Sequence, residues 1–319
     1  GLDKPERIEG AMWGGLVLDE FDNLKAKTWK MHVRPALDSV YQNGYMPWAA
    51  LLGVPEIGGE LEVLVKETIG LKDWATFCWP SSRVLTPAQI EAAMHDMSPE
   101  QFSQEYEGKF VQPFGVIYGN YSELNFTDEV INGNEELIWT HDQNYTPLSS
   151  AIIVKRGEKY YCLDEIVLRS ADAADAALEF TERYKNHSRK TVKIYGDPHG
   201  KVGEKHGKKS DYKVIENALR AAGWTVINKV RPSHPAIKER QNSLRALICN
   251  AARERRFFVN TKNARYVNKG LATVKAKVGS AFIEDDTNEY HHITTAIGYF
   301  ANVEHPSAGH RAFTMDFTL

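Results

Sequence analysis

Two short β-branched or apolar runs, residues 138–142 (IWTHD) and 191–200 (TVKIYGDPHG), each carry a single acid, Asp142 and Asp197, where the chain leaves the run. As neighbouring parallel strands they would lie about 4.8 Å apart, and their terminal carboxylates would converge. Two convergent carboxylates can hold a divalent cation and so activate water against a phosphodiester. A strand-end aspartate alone is more often a turn or cap residue; it is the pair, in one topology, that carries meaning.

At 319 residues the chain exceeds one average domain, and two domains are expected. No apolar run approaches the roughly 20 residues of a membrane span. The N-terminal GLDKPERIEG lacks the pattern of a signal peptide. Cys78, Cys162 and Cys249 are widely spaced in apolar contexts, which fits a reducing compartment better than a disulfide framework or a zinc site. The net charge of −3 hides an asymmetry: residues 1–136 hold 10 basic against 22 acidic side chains, and residues 137–319 hold 29 against 20. A basic second half suits a polyanion partner.

Residues 15–20, 47–55 and 74–79 read as buried strands. Thr86-Pro87-Ala88-Gln89 and Ser98-Pro99-Glu100-Gln101 each combine a hydroxyl cap, a proline at the first helical position and a glutamine three residues after the cap, so both open helices. Residues 113–136 have loop composition and coincide with the charge switch; the expected division is 1–125 and 126–319. Beyond it, strands at 138–142, 150–155 and 159–168 precede a helix at 171–187 and a strand at 191–196. A helix at 211–222, a strand at 224–230, a helix at 235–252, a short strand at 256–259 and a helix at 288–302 follow. Three hairpin-linked strands followed by strand–helix alternation describe an α/β fold with a mixed sheet flanked by helices, as in ribonuclease H-like domains.

Asp164-Glu165 lies inside a strand, where acids are depleted; whichever points inward is a candidate ligand or outer carboxylate. Residues 201–209 (KVGEKHGKK) form a basic loop after Asp197, with Lys201, Lys205, Lys208 and Lys209 placed to meet phosphates. Its glycines miss the G-x-x-x-x-G-K-[ST] spacing, which rejects a phosphate-binding P-loop there. His292, Thr295, Ala296 and Tyr299 share one helical face. Asp286, with Glu289 three residues on, suits a cap for that helix. Residues 16–20 (LVLDE) have the form of a Walker B strand, in which Asp19 would approach magnesium and Glu20 would polarise water.

With those residues in view, the chain resembles the large subunit of the tailed-bacteriophage DNA-packaging terminase over nearly its whole length. Residues 2–10 (LDKPERIEG), Trp13-Gly14-Gly15 and Asp19-Glu20 are similar to that family's approach to its Walker B strand. Arg34-Pro35-Ala36-Leu37 and Leu52-Gly53-Val54-Pro55 resemble its motor, and 102–106 (FSQEY) with 115–118 (GVIY) its motor-to-nuclease link. Asp142-Gln143-Asn144, Asp164-Glu165-Ile166, 195–200 (YGDPHG), 238–242 (KERQN) and 292–299 (HITTAIGY) resemble its nuclease.

The resemblance implies an incomplete P-loop-type ATPase domain, with Asp19 and Glu20 facing the nucleotide, followed by a ribonuclease H-like nuclease domain. Because no Walker A loop precedes residue 19, the chain is expected to be the C-terminal part of such a subunit and not to hydrolyse ATP alone; ATP belongs to the full-length context. The implied activity is Mg²⁺- or Mn²⁺-dependent endonucleolytic cutting of concatemeric double-stranded DNA. Asp142, Asp197 and Glu165 would be catalytic, and Lys201, Lys205, Lys208, Lys209 and Arg240 would lie on DNA. The family usually places an aspartate where this sequence has Thr295, so Glu165, His292 and Asp286 are the replacement ligands to consider. The implied partners are the small terminase subunit and the portal of the procapsid, in the host cytoplasm. Two alternatives stay open: a ribonuclease H-like junction-resolving or repair nuclease, and a catalytically impaired DNA-binding or assembly remnant of a prophage.

Overall fold

The computed structural model describes residues 4, 13–24, 27–37, 46–56, 59–111, 115–142, 147–198, 210–277 and 282–307. The chain divides into two compact units, Gly1–Pro87 with Phe102–Gln112, and Ala88–Gln101 with Pro113–Leu319.

In the first unit, strand β1 (Gly15–Leu18) leads through a π-helical turn (Trp29–Val33) into helix α1 (Arg34–Leu37). Strand β2 (Trp48–Leu51) pairs parallel to β1, and helix α2 (Glu60–Thr68) follows. Leu16, Phe21, Trp29, Val33, Leu37 and Leu64 make its core. The start of α2 is fixed from outside itself: the carboxylate of Asp22 accepts the Leu61 amide at 2.7 Å, satisfying one of the orphan donors of a helix start. The strand expected over 74–79 is irregular backbone. Phe77 and Trp79 are 69% and 62% exposed and stack on each other, so their apolar character serves a surface pair and not a buried strand.

Helices α3 (Pro87–Asp96) and α4 (Pro99–Glu105) begin at the prolines marked by the sequence, and Ser98 Oγ accepts the Gln101 amide at 3.2 Å as a cap should.

The second unit is built on strands β3 (Leu137–Asp142), β4 (Leu148–Arg156) and β5 (Lys159–Leu168), joined as antiparallel hairpins. Helix α5 (Ala173–Arg183) returns the chain to strand β6 (Thr191–Gly196), which lies parallel to β3. Helix α6 (Asp211–Ala221) and strand β7 (Thr225–Asn228) extend that edge. Helix α7 (Ile237–Ile248) crosses to strand β8 (Phe257–Val259) on the other edge, and helices α8 (Arg265–Thr273) and α9 (His291–Glu304) follow. The order of the six strands is β7-β6-β3-β4-β5-β8. This is the mixed sheet expected from the sequence; α8 is an element the sequence reading lacks.

Every residue of β3 is buried because helices cover both faces of the sheet. Side chains alternate across a strand, so Leu137 and Trp139 meet α5 and α6 through Phe180 and Ile215. Ile138 faces the opposite layer with Leu244 of α7, Val267 of α8 and Ile297 of α9. Asp142, two steps beyond Thr140 and four beyond Ile138, falls on that second face, the one that α9 covers.

Residues 113–125, expected on the first side of the division, count with the second unit. Ile117 and Tyr118 are in its core, and Asn125 Nδ2 donates at 2.9 Å to the carbonyls of both Ile248 and Phe257.

Candidate active site

The register of β3 and β6 pairs His141 with Gly196, and the ladder runs one step further: the Asp197 amide donates to the His141 carbonyl at 3.3 Å. Asp142 and Asp197 therefore leave the sheet side by side. Gly196 permits this exit. Its φ of +149° disfavours any L side chain, and a Cβ there would collide with the His141 carbonyl and the Tyr212 hydroxyl.

Each aspartate meets an imidazole. Asp142, 6% exposed, has Oδ2 at 2.9 Å from His292 Nδ1 on α9. An ionised carboxylate only accepts, so Nδ1 carries the proton in this contact. Asp197 Oδ1 lies 3.3 Å from His234 Nε2, and the other ring nitrogen of His234 stands 3.0 Å from the Tyr299 hydroxyl. A neutral ring protonated on Nε2 satisfies both, with Tyr299 donating to Nδ1. Burial pushes the Tyr299 phenol up to about 12; Asp197 and Asp142 both add to that rise, while Arg240 opposes it.

The α9 face expected from sequence does turn to this site. Thr140 Oγ1 donates to the Ala296 carbonyl, which pins the helix along β3. Thr295 Oγ1 donates to Glu284 Oε2 at 3.0 Å. Glu284 also takes Arg240 Nη2 on both oxygens, at 3.2 and 3.1 Å, and Gln241 Nε2 at 3.0 Å. An antiparallel bridge between Ala276 and Glu284 brings it there.

Several sequence-derived candidates lie elsewhere. Glu165 is not directed to the aspartates: its two oxygens accept the Tyr266 and Val267 amides, both at 2.9 Å, at the start of α8. A helix N-terminus attracts a carboxylate through its free amides and dipole. Burial nevertheless raises the pKa of Glu165, against the lowering effect of those amides. Asp164 faces the other side of the sheet, held by Arg183 at 3.0 Å and Tyr184 at 2.7 Å. Asp286 is an exposed partner of Lys277 at 3.3 Å, and because α9 starts only at His291 it does not cap that helix.

Arg240 does not lie on the surface. It is 6% exposed, with its guanidinium stacked 5.1 Å from the Tyr299 ring, which removes it from the candidate DNA contacts. Burial is the largest single influence and opposes its charge, but Glu284, Tyr118, Tyr299 and Asp142 together outweigh it and hold its pKa above the ordinary value. Lys201, Lys205, Lys208 and Lys209 lie outside the described residues. Asp19 and Glu20 sit exposed at the carboxyl end of β1; Asp19 Oδ1 accepts the Glu20 amide at 3.0 Å, and Glu20 adopts a left-handed backbone with φ of 52°. His234 and Glu284 are the residues that sequence reasoning misses. One sits between two prolines in a loop, the other in the acidic run Glu284-Asp285-Asp286, and neither position has a periodicity to mark it.

Two carboxylates from adjacent strand ends suit one hard divalent ion completed by water and phosphate oxygens. Among the described residues, no group of three or more His, Cys, Asp or Glu side chains could hold a metal ion by itself.

Solved structures share this architecture. The large terminase of the thermophilic bacteriophage D6E matches with a TM-score of 0.63 at 12% identity, over 93% of this chain and 70% of that one. The same protein in complex with ADP matches with a TM-score of 0.62, and in complex with ATP-γ-S with 0.61, both at 12% identity over 93% of this chain and 71% of theirs. The chain has the fold of a phage large terminase. No protein-family model matches it, and no curated protein does. Among the described residues, no helix is long and apolar enough to cross a membrane.

Proposed function

We propose that the second unit is a metal-dependent DNA endonuclease and that the chain serves, as part of a terminase large subunit, in cutting concatemeric double-stranded DNA during genome packaging. One observation carries this reading: Asp142 and Asp197 leave parallel neighbouring strands side by side, each against an imidazole. The terminase fold supports it.

Asp142 and Asp197 would hold Mg²⁺ or Mn²⁺, which when bound supplies a water of lowered pKa and offsets charge on the phosphate. His292 and His234 fix the two carboxylates, and Tyr299 sets the tautomer of His234. Bound DNA is expected to lie against the lysines of 201–209, which give affinity without sequence preference. The first unit corresponds to part of a motor, with Asp19 and Glu20 toward nucleotide. The small terminase subunit and the portal of the procapsid are the partners proposed for the whole assembly, in the host cytoplasm.

The test is supercoiled plasmid with Mn²⁺. Nicking that disappears in Asp197→Asn supports the reading, and a gel shift without nicking by the unaltered chain overturns it in favour of a binding remnant. Faster cleavage of four-way junctions than of linear duplex would point instead to a resolving nuclease.

A further inference from the structure

We propose that Arg240 is a built-in cation of this site, neutralising from within the acidic charge that a second metal ion would require, so that Asp142 and Asp197 together take up a single divalent ion. The inference rests on the metal-dependent reading above and specifies how many ions that site holds.

Arg240 touches both halves of the cluster. Its Nη2 reaches Thr295 Oγ1 at 3.2 Å and the carboxylate of Glu284. Thr295 lies one turn from His292, the partner of Asp142. On the other side the guanidinium covers the ring of Tyr299, whose hydroxyl meets His234, and His234 meets Asp197. The approach is purpose-shaped: a Cβ on Gly298 would stand 2.6 Å from Arg240 Cγ, so the side chain runs where only glycine leaves room.

Stability does not account for such a pair. Burying two charges costs as much as their attraction returns, and well-packed apolar residues usually replace an ion pair without loss. What the pair does supply is a permanent positive charge, because a guanidinium does not release its proton. That charge is already committed to Glu284, both of whose oxygens accept from Arg240, so this carboxylate is neutralised from within and only Asp142 and Asp197 remain for an ion. Two ions would need further carboxylates, and the α9 position one turn beyond His292 offers the hydroxyl of Thr295, already engaged by Arg240 and Glu284.

The experiment is calorimetric titration of the full chain with Mn²⁺, alone and with a phosphorothioate-substituted duplex, subtracting the heat seen with Asp142→Asn. One Asp142-dependent ion is expected, unchanged in Arg240→Lys and rising to two in Arg240→Met. If Arg240→Met shows no cooperative melting, the wild-type and lysine stoichiometries decide alone. Two Asp142-dependent ions in the wild type would overturn the inference while leaving the nuclease reading intact. No bound ion under either condition would remove both.

Discussion

Asp142 and His292, 150 residues apart in the chain, meet at 2.9 Å where the end of β3 passes under the first turn of α9. That contact ties the carboxylate to the helix covering it, and it makes the helix part of the site and not merely its roof. Outer partners of this type usually cost 10- to 100-fold in metal affinity when removed. His292→Ala is expected to raise the Mn²⁺ concentration for half-maximal nicking by about that factor. His234→Phe should do the same through Asp197. An unchanged Mn²⁺ dependence in both variants would mean that the imidazoles do not position the acids.

Glu165 separates a structural acid from a catalytic one. Because it caps α8, Glu165→Ala should lower stability by about 1 kcal/mol, the usual cost of losing a cap, and leave the rate of plasmid nicking unaltered. Urea unfolding and the nicking assay read the two effects apart. A hundredfold loss of cleavage with unchanged stability would return Glu165 to the metal site.

His141 gives the fold an acid limb. The ring is fully enclosed between Trp139 and Tyr212, neither nitrogen has a hydrogen-bond partner among the described residues, and burial lowers its pKa to about 3. An unfolded histidine titrates near 6.5. Between those values the unfolded chain binds a proton that the fold refuses, so the contribution is present above about pH 6.5 and lost as pH falls. On the order of 2 kcal/mol should disappear between about pH 7.5 and 4.5. His141→Phe should flatten that part of the profile; thermal melts at the two pH values check it.

For the buried pair, Glu284→Leu alone should cost roughly 3–5 kcal/mol by stranding the Arg240 charge, whereas Arg240→Met with Glu284→Leu should be close to neutral. A double-mutant cycle in urea measures the difference. Neither variant should change the salt dependence of DNA binding, since Arg240 is enclosed. A shallower salt slope in the double variant would restore Arg240 as a phosphate contact.

The features legible in the residues alone are local ones. Alternation and β-branching mark β3, β4, β5 and β6 close to their observed ends, and hydroxyl–proline starts mark α3 and α4, because these signals act within a few residues. The two aspartates were legible for the same reason: each ends a strand at a turn. The shared face of His292, Thr295 and Tyr299 follows from helical geometry alone.

Other features emerge only once distant segments pack together. Whether Glu165 or Asp164 faced the aspartates depended on what packs against each side of β5, and α8 claimed Glu165 with two amides. Arg240 reads on the sequence as one more basic residue on a polar helix, yet α9 and Glu284 enclose it. His234 and Glu284 reach the site from a loop and an isolated antiparallel bridge, where position owes nothing to periodicity. Long-range pairing sets which charges are desolvated together, and a charge takes its role from the neighbours that replace its water.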